Sequence, residues 1–300
     1  MLDIFKKAKE NKYAIGAFNA SNLEGIRAIA QAARKFKKPV IIATSSGEKS
    51  FIGGKQIRAA VDVWKKETGL PIILHLDHGK SFEIVKEAIN DGYDSVHFDG
   101  SELSFEENAD ITKKVVKFAK NKGVLNVEGE MGYLRGGSIL HEEAVEIKED
   151  DLTVPSEALK FVEETGVNTL AIAIGNIHGI ICSRGKNNEI AASRTPRNDS
   201  AANPHLFLGR LKEINDCLGD KAFLCLHGGS GTPEEDIKKA VGLGIVKINI
   251  NTELRMAYTK SLKEFLQENP NAIKPHNIME PVVEAVQKVV ENKIRLFSRD

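Results

Sequence analysis

Two rhythms of apolar residues alternate along this chain. Short runs rich in Val, Ile and Leu read as strands: Tyr13–Phe18, Val40–Thr44, Ile72–Leu76, Ser95–Asp99, Leu125–Glu130, Thr169–Ile174, Ala222–Leu226 and Ile245–Ile250. Between them, apolar residues recur at helical spacing near Leu23–Lys35, Gly54–Thr68, Ser81–Asn90, Phe105–Asn121, Pro155–Thr165, Pro204–Leu218, Pro233–Val241 and Thr252–Gln267. A last helix is expected over about Ile278–Asn292. Ser81 stands before an apolar helical run, and Thr232-Pro233-Glu234-Glu235 combines a cap, a proline and early acids. Gly92, Gly123, Gly166 and Gly244 stand where a helix must stop before the next strand.

A strand followed by a helix, eight times over, predicts a parallel (β/α)8 TIM barrel with an extra C-terminal helix, residues 1–300 forming one domain. An open doubly wound sheet is the alternative, but the chain lacks an early GxGxxG turn. Two connectors are long, Met131–Val154 and Ile177–Asn203; such loops in a compact barrel usually carry function or move.

Charge narrows the function. Forty-two Lys and Arg balance forty-two Asp and Glu, so bulk electrostatics favour neither nucleic acid nor an anionic membrane as partner. The three cysteines, Cys182, Cys217 and Cys225, have no CxxC spacing and read as reduced thiols. No apolar run approaches the length of a membrane span, and the N-terminus has no signal-type apolar stretch. A cytoplasmic protein is expected.

Polar residues collect where the strands end: Asn19, Ser45, Asp77-His78-Gly79, Asp99, Glu130, Asn176-Ile177-His178-Gly179, His227-Gly228-Gly229-Ser230 and Asn249-Ile250-Asn251-Thr252. Active sites of parallel barrels lie at this end. His78, His178 and His227 follow different strands, each beside a glycine, and could converge on one divalent cation with a coordination position left open. Zinc suits imidazole ligands and polarises a carbonyl. Asp77 adjoins His78 and can exchange a proton with a neighbouring hydroxyl; Asp99 and Glu130 offer a supporting or alternate cation position. His75 and His97 read as barrel filling, and His141, His205 and His276 as surface residues. The glycine-rich turn at Gly228-Gly229-Ser230 and the turn at Asn249–Thr252 suit a phosphate at helix N-termini.

These residues resemble the class II, metal-dependent ketose-bisphosphate aldolases, acting on fructose or tagatose 1,6-bisphosphate. GAFNASNLE, LHLDHGKSFE, SVHFDGSELSFEEN, VEGEMG, AIAIGNIHG, LHGGSGTPEEDI and KINININTELR carry the likeness from end to end. The resemblance implies Zn²⁺ on His78, His178 and His227, proton transfer by Asp77, and an alternate metal position at Asp99 and Glu130. It implies that Gly179, Gly228, Ser230, Asn249 and Thr252 hold the phosphate of dihydroxyacetone phosphate, with a monovalent cation (Na⁺ or K⁺) nearby. Gly229, Asn19, Ser45 and Asn251 complete the expected substrate contacts, and Arg255 would meet the second phosphate. A glutamate on the Met131–Val154 loop would handle the proton of the enediolate. Here Gly136-Gly137 is followed by Ser138-Ile139-Leu140-His141 before Glu142 and Glu143, a departure from the family pattern. The sequence after His178, SRGKNNEIAASRTPRNDSAANP in its main part, is also long and basic, which bears on the aldehyde phosphate that fits. Fructose 1,6-bisphosphate is the expected main substrate: Asn251 stands where the fructose enzymes often carry Asp and can still accept a bond from a substrate hydroxyl, or it caps the next helix. A homodimer or homotetramer is implied. Two competing readings are a hydrolase with a His-x-His pair on its first strand, which this chain lacks, and a non-catalytic sugar-phosphate-binding protein. A Schiff-base aldolase through Lys247 would leave the three histidines unexplained.

Overall fold

The computed structural model describes residues 1–182 and 203–298. Most of the basic sequence after His178 lies outside them.

The chain opens with helix α1 (Leu2–Asn11), then β1 (Ile15–Asn19), α2 (Leu23–Phe36), β2 (Val40–Ser45), a short α3 (Ser46–Ile52) and α4 (Gly54–Thr68). Next come β3 (Ile72–Gly79), α5 (Phe82–Asn90), β4 (Ser95–Phe98), α6 (Phe105–Asn121) and β5 (Asn126–Met131). The two-residue β6 (Leu140–His141) precedes α7 (Pro155–Thr165), β7 (Thr169–Ile172) and the equally short β8 (Ile180–Ile181). The remainder is α8 (Leu208–Leu218), β9 (Phe223–Leu226), α9 (Glu234–Gly242), β10 (Ile245–Ile250), α10 (Thr252–Glu268) and α11 (Pro275–Phe297).

The eight main strands close into a barrel in the order β1-β10-β9-β7-β5-β4-β3-β2, every neighbour parallel. This is the expected (β/α)8 architecture, with α11 as the extra C-terminal helix. It packs on α2 and α10 and runs longer at both ends than periodicity predicts. Strands and helices interleave because each strand buries both faces, one into the barrel and one under its helix. The main apolar cluster therefore sits between the strands and the helical ring, with Ile26, Leu74, Phe98, Phe161 and Leu226 fully buried. Ser81 caps α5 as expected, accepting from the Ile84 amide. The helix-ending glycines 92, 123, 166 and 244 all take positive φ, the conformation that favours glycine.

Four local features differ from expectation, the short α3, which the sequence reading lacks, among them. Helix α1 is absent from the sequence reading because it is short and lysine-rich. It buries only Phe5 and Ala8, which plug the bottom of the barrel against Ile15, Ala17, Ile41, Ile73 and Val246. Helix α8 begins at Leu208, past Pro204. Thr232 caps nothing: α9 starts at Glu234, and the Thr232 hydroxyl donates instead to the Gly228 carbonyl (3.0 Å).

Candidate active site

At the carboxyl end of the barrel lies a pocket of about 510 Å³. It is lined by Asn19, Ser45, Asp77, His78, Ser138, His178, Gly179, His227, Gly228, Ser230, Asn249, Asn251, Thr252 and Arg255. The strand-end residues thus converge although they come from six different strand termini.

Strand β3 contributes two neighbours to one site, which a regular strand cannot do because successive side chains face opposite sides. The chain solves this at His78, whose φ of 51° is left-handed. The register against β4 slips there: Leu76 pairs with Val96, but Gly79 pairs with Phe98, so three steps on β3 match two on β4. This bulge turns Asp77 and His78 toward the same pocket. The His78 amide, freed from the ladder, donates to His97 Nδ1 (3.2 Å).

His78 Nε2 and His227 Nδ1 lie 2.9 Å apart. Two nitrogens on one tetrahedral zinc, at ~2.0–2.1 Å each, would lie about 3.3 Å apart. The far side of each ring meets a carboxylate: His78 Nδ1 lies 2.6 Å from Asp99 Oδ2, and His227 Nε2 lies 2.9 Å from Glu128 Oε1. Such carboxylate backing fixes the ring and raises the basicity of the ligating nitrogen. The His178 ring sits edge-on at 4.9 Å from that of His78 and 6.3 Å from that of His227, centroid to centroid. The donor chemistry of these three imidazoles fits a divalent cation. Asp77, His78, His97 and His227 form one tight cluster of potential ligand atoms, and His78, Asp99 and Glu130 another. Glu130 Oε2 stands 3.6 Å from His78 Nδ1 and 3.1 Å from His97 Nε2, without the angle of a hydrogen bond to the latter.

Electrostatics follows from burial and these pairings. Burial pushes His178 down to about 3, helped by the charges of His78 and His227, so its ring is neutral. Burial works the same way on His78, but Asp77, the Asp99 bond and Glu130 outweigh it and lift the ring to about 9. Burial would lift the Asp77 carboxyl; the neighbouring His78 ring, with His227 and Lys247, holds it well below the usual carboxylate range. Both its oxygens are fixed, Oδ1 by Asn249 Nδ2 (2.9 Å) and Oδ2 by Asn19 Nδ2 (3.1 Å).

Under the histidines runs an ion pair that pattern reading did not assign to the site. Lys247 and Glu128 are completely buried, and the Lys247 ammonium bonds both Glu128 oxygens at 2.7 and 2.8 Å. His75 Nε2 is 3.1 Å from the same nitrogen. Burial alone would lower the Lys247 pKa, but Cys225 and Glu128 more than offset it, and the amine is held charged. A protonated, paired amine is no carbonyl nucleophile, which removes the Schiff-base alternative. The available signal was a charged residue at an inward strand position on both β5 and β10.

Ser230 Oγ accepts from the amides of Asn251 (3.3 Å) and Glu253 (3.4 Å), and Thr252 is the first residue of α10. The hydroxyl thus marks a helix N-terminus open to the pocket, where an anion is favoured. Asn251 sits at the cap position, yet its side chain makes no capping bond. Gly228 has a φ of 65°, and a Cβ there would meet the Ile177 carbonyl oxygen. Gly229 does not line the pocket; its amide bonds the Asn249 carbonyl, and a Cβ would strike Ile248. Glu142 and Glu143 follow β6, are exposed and do not line the pocket. Their segment is nonetheless tied down. Strand β6 pairs with β8, and the His178 amide donates to the Arg135 carbonyl (2.9 Å). His141, expected at the surface, is half-buried, its Nε2 2.8 Å from the His178 carbonyl oxygen.

The whole chain, residues 1–300, matches the family model described as fructose-bisphosphate aldolase class-II. A fructose-bisphosphate aldolase of Thermus caldophilus is 38% identical, covering 99% of this chain and 96% of the relative. A sulfofructosephosphate aldolase of Alkalicoccus urumqiensis is 36% identical, covering 99% and 95%. Among solved structures, the YdjI aldolase of Escherichia coli K12 superposes with a TM-score of 0.79 at 31% identity, covering 100% and 96%.

Proposed function

Because this chain belongs to the class II fructose-bisphosphate aldolase family, a family of aldolase lyases, we propose that it cleaves ketose phosphates of the fructose 1,6-bisphosphate class between C3 and C4. The products are dihydroxyacetone phosphate and an aldehyde, glyceraldehyde 3-phosphate from the bisphosphate itself. One observation carries the reading: Asp77 and His78 share a bulge that sets a carboxylate beside the His78–His227 pair, each ring backed by its own carboxylate.

His78, His178 and His227 would hold Zn²⁺. When bound, the cation supplies Lewis-acid polarisation of the substrate carbonyl. The work of the protein's own residues can be followed in turn. Ser230 and Thr252, which line the pocket at the N-terminus of α10, receive the C1 phosphate. Asp77, fixed at both oxygens, stays ionised and accepts the C4 hydroxyl proton as the C3–C4 bond breaks. Glu142 or Glu143 would manage the proton on C3 of the dihydroxyacetone phosphate half; both lie on the segment that carries Ser138 into the pocket. A cytoplasmic homodimer or homotetramer belongs to the same reading. Among the described residues no helix is long and apolar enough to cross a membrane.

The test is release of dihydroxyacetone phosphate from a panel of ketose phosphates, before and after chelation. Activity should vanish with chelator and return with Zn²⁺. Full turnover in metal-free protein, or no cleavage of any sugar by the reloaded protein, would sink the proposal.

A further inference from the structure

The far wall of the pocket is built around Glu48, a carboxylate only 7% exposed. Four donors converge on it: the Ser45 amide (2.8 Å), Ser21 Oγ (2.9 Å), Asn19 Nδ2 (3.2 Å) and Arg255 Nη2 (2.8 Å). Glu48 is also the third residue of α3 and closes a capping box with Ser45. A carboxylate pinned from its own helix start cannot swing aside as a surface ion-pair partner can. Arg255, the only Lys or Arg among the described residues lining the pocket, therefore meets the substrate with its charge already balanced. Its other amino group points to the Ser138 carbonyl (3.4 Å), a second acceptor.

Two further atoms of this wall ask for donors. Asn19 Oδ1 and Asn251 Oδ1 are buried without a hydrogen-bond partner. The amide orientation of Asn19 is fixed by its surroundings, since Nδ2 serves the carboxylates of both Glu48 and Asp77 and a flip would set oxygen against oxygen. Orphan acceptors are satisfied by hydroxyl groups; a phosphate dianion supplies no proton and would add charge beside Glu48.

On the aldolase reading, we infer that this site takes the aldehyde half of its substrate as an uncharged polyhydroxy chain instead of a second phosphate, and that Glu48 sets this choice. The preferred substrate class is then a ketose 1-phosphate, and its second product an unphosphorylated hydroxyaldehyde.

The experiment compares kcat/KM for fructose 1-phosphate and fructose 1,6-bisphosphate with metal-loaded protein. Wild type should cleave fructose 1-phosphate at least as efficiently as the bisphosphate. Glu48→Gln keeps an acceptor for the capping box but removes the charge. It should move the ratio toward the bisphosphate by about tenfold, mainly through KM, since charge complementarity sets which partner is accepted. If Glu48→Gln does not fold, Arg255→Ala serves: it should change both sugars alike, whereas selective loss of bisphosphate cleavage would show that Arg255 reads a second phosphate. A wild-type preference for the bisphosphate, or a ratio that Glu48→Gln leaves unmoved, overturns the inference while the aldolase reading stands. No dihydroxyacetone phosphate from either sugar overturns the aldolase reading, and the inference falls with it.

Discussion

Replacing Glu128 by glutamine removes the carboxylate that Lys247 pairs with inside the barrel. The Lys247 ammonium would keep His75 Nε2 at 3.1 Å and a neutral amide oxygen in place of two carboxylate oxygens. Breaking a buried ion pair by removing one partner costs about 3–5 kcal/mol. Unfolding entropy of ~2.1 cal/mol/K per residue gives about 0.6 kcal/mol/K for this 300-residue chain. The midpoint of thermal unfolding should therefore fall by roughly 5–8 °C. The same substitution weakens the carboxylate behind His227, and loss of such backing typically costs ~10–100-fold in metal affinity. Scanning calorimetry of metal-free protein and a zinc titration with a competing chelator read the two effects separately. The double variant Glu128→Gln/Lys247→Met removes both charges and should recover most of the lost stability, yet leave metal affinity low. The reasoning fails if the single variant melts within 2 °C of wild type, on the order of 1 kcal/mol, or binds zinc as wild type does.

Other consequences are open to direct measurement. Asp77→Ala should retain metal and lose cleavage by ~10²–10⁴-fold; unchanged turnover would move proton transfer elsewhere. Burial would raise the Glu128 pKa, but Lys247 and the His227 bond hold it well below the carboxylate range. Its contribution to stability is thus complete above the unfolded value of ~4.3 and lost as pH falls through the depressed folded value. The acid limb of the stability curve should consequently be shallower in Glu128→Gln/Lys247→Met, and superposable acid limbs would contradict this. Gly228→Ala forces a side chain into a φ of 65° and against the Ile177 carbonyl. At roughly 1–3 kcal/mol of strain it should lower the melting midpoint and cut turnover about tenfold or more; wild-type values of both would refute it.

Much of the barrel was legible because each strand is a short aliphatic run ending in a polar or glycine-rich turn. That same pattern sets Asp77, His78, His178 and His227 at one end of the barrel, since a parallel barrel puts all strand ends on one face. What escaped depends on contacts distant in sequence. Lys247 reads from the sequence only as a candidate Schiff-base lysine, and only barrel closure shows that it pairs with Glu128 across 119 positions. Glu48 stands on α3, a helix the sequence pattern does not predict, and its grip on Arg255 spans 207 positions. The bulge at His78 leaves no local mark either, because a histidine in left-handed backbone cannot be told from one in extended backbone by pattern. Helix α1 was missed for a different reason: with two fully buried side chains, its apolar period is too short to stand out.

The pairing of β6 with β8 gives the two long connectors a shared fate. His78 and His227 are placed by the barrel wall, whereas His178 is held through the Arg135 carbonyl and the His141 ring on the other connector. On the proposed reading the first two imidazoles would be preorganised, and the third would depend on a latch that also carries Ser138 into the pocket. Linkage then runs in both directions. A substrate that tightened the latch would fix His178 and raise affinity for the cation. A cation holding His178 would in turn steady Ser138 and its neighbours at the pocket. Metal and substrate should then bind as mutual effectors, joined through the short β6–β8 ladder and the bonds of Arg135 and His141 to His178.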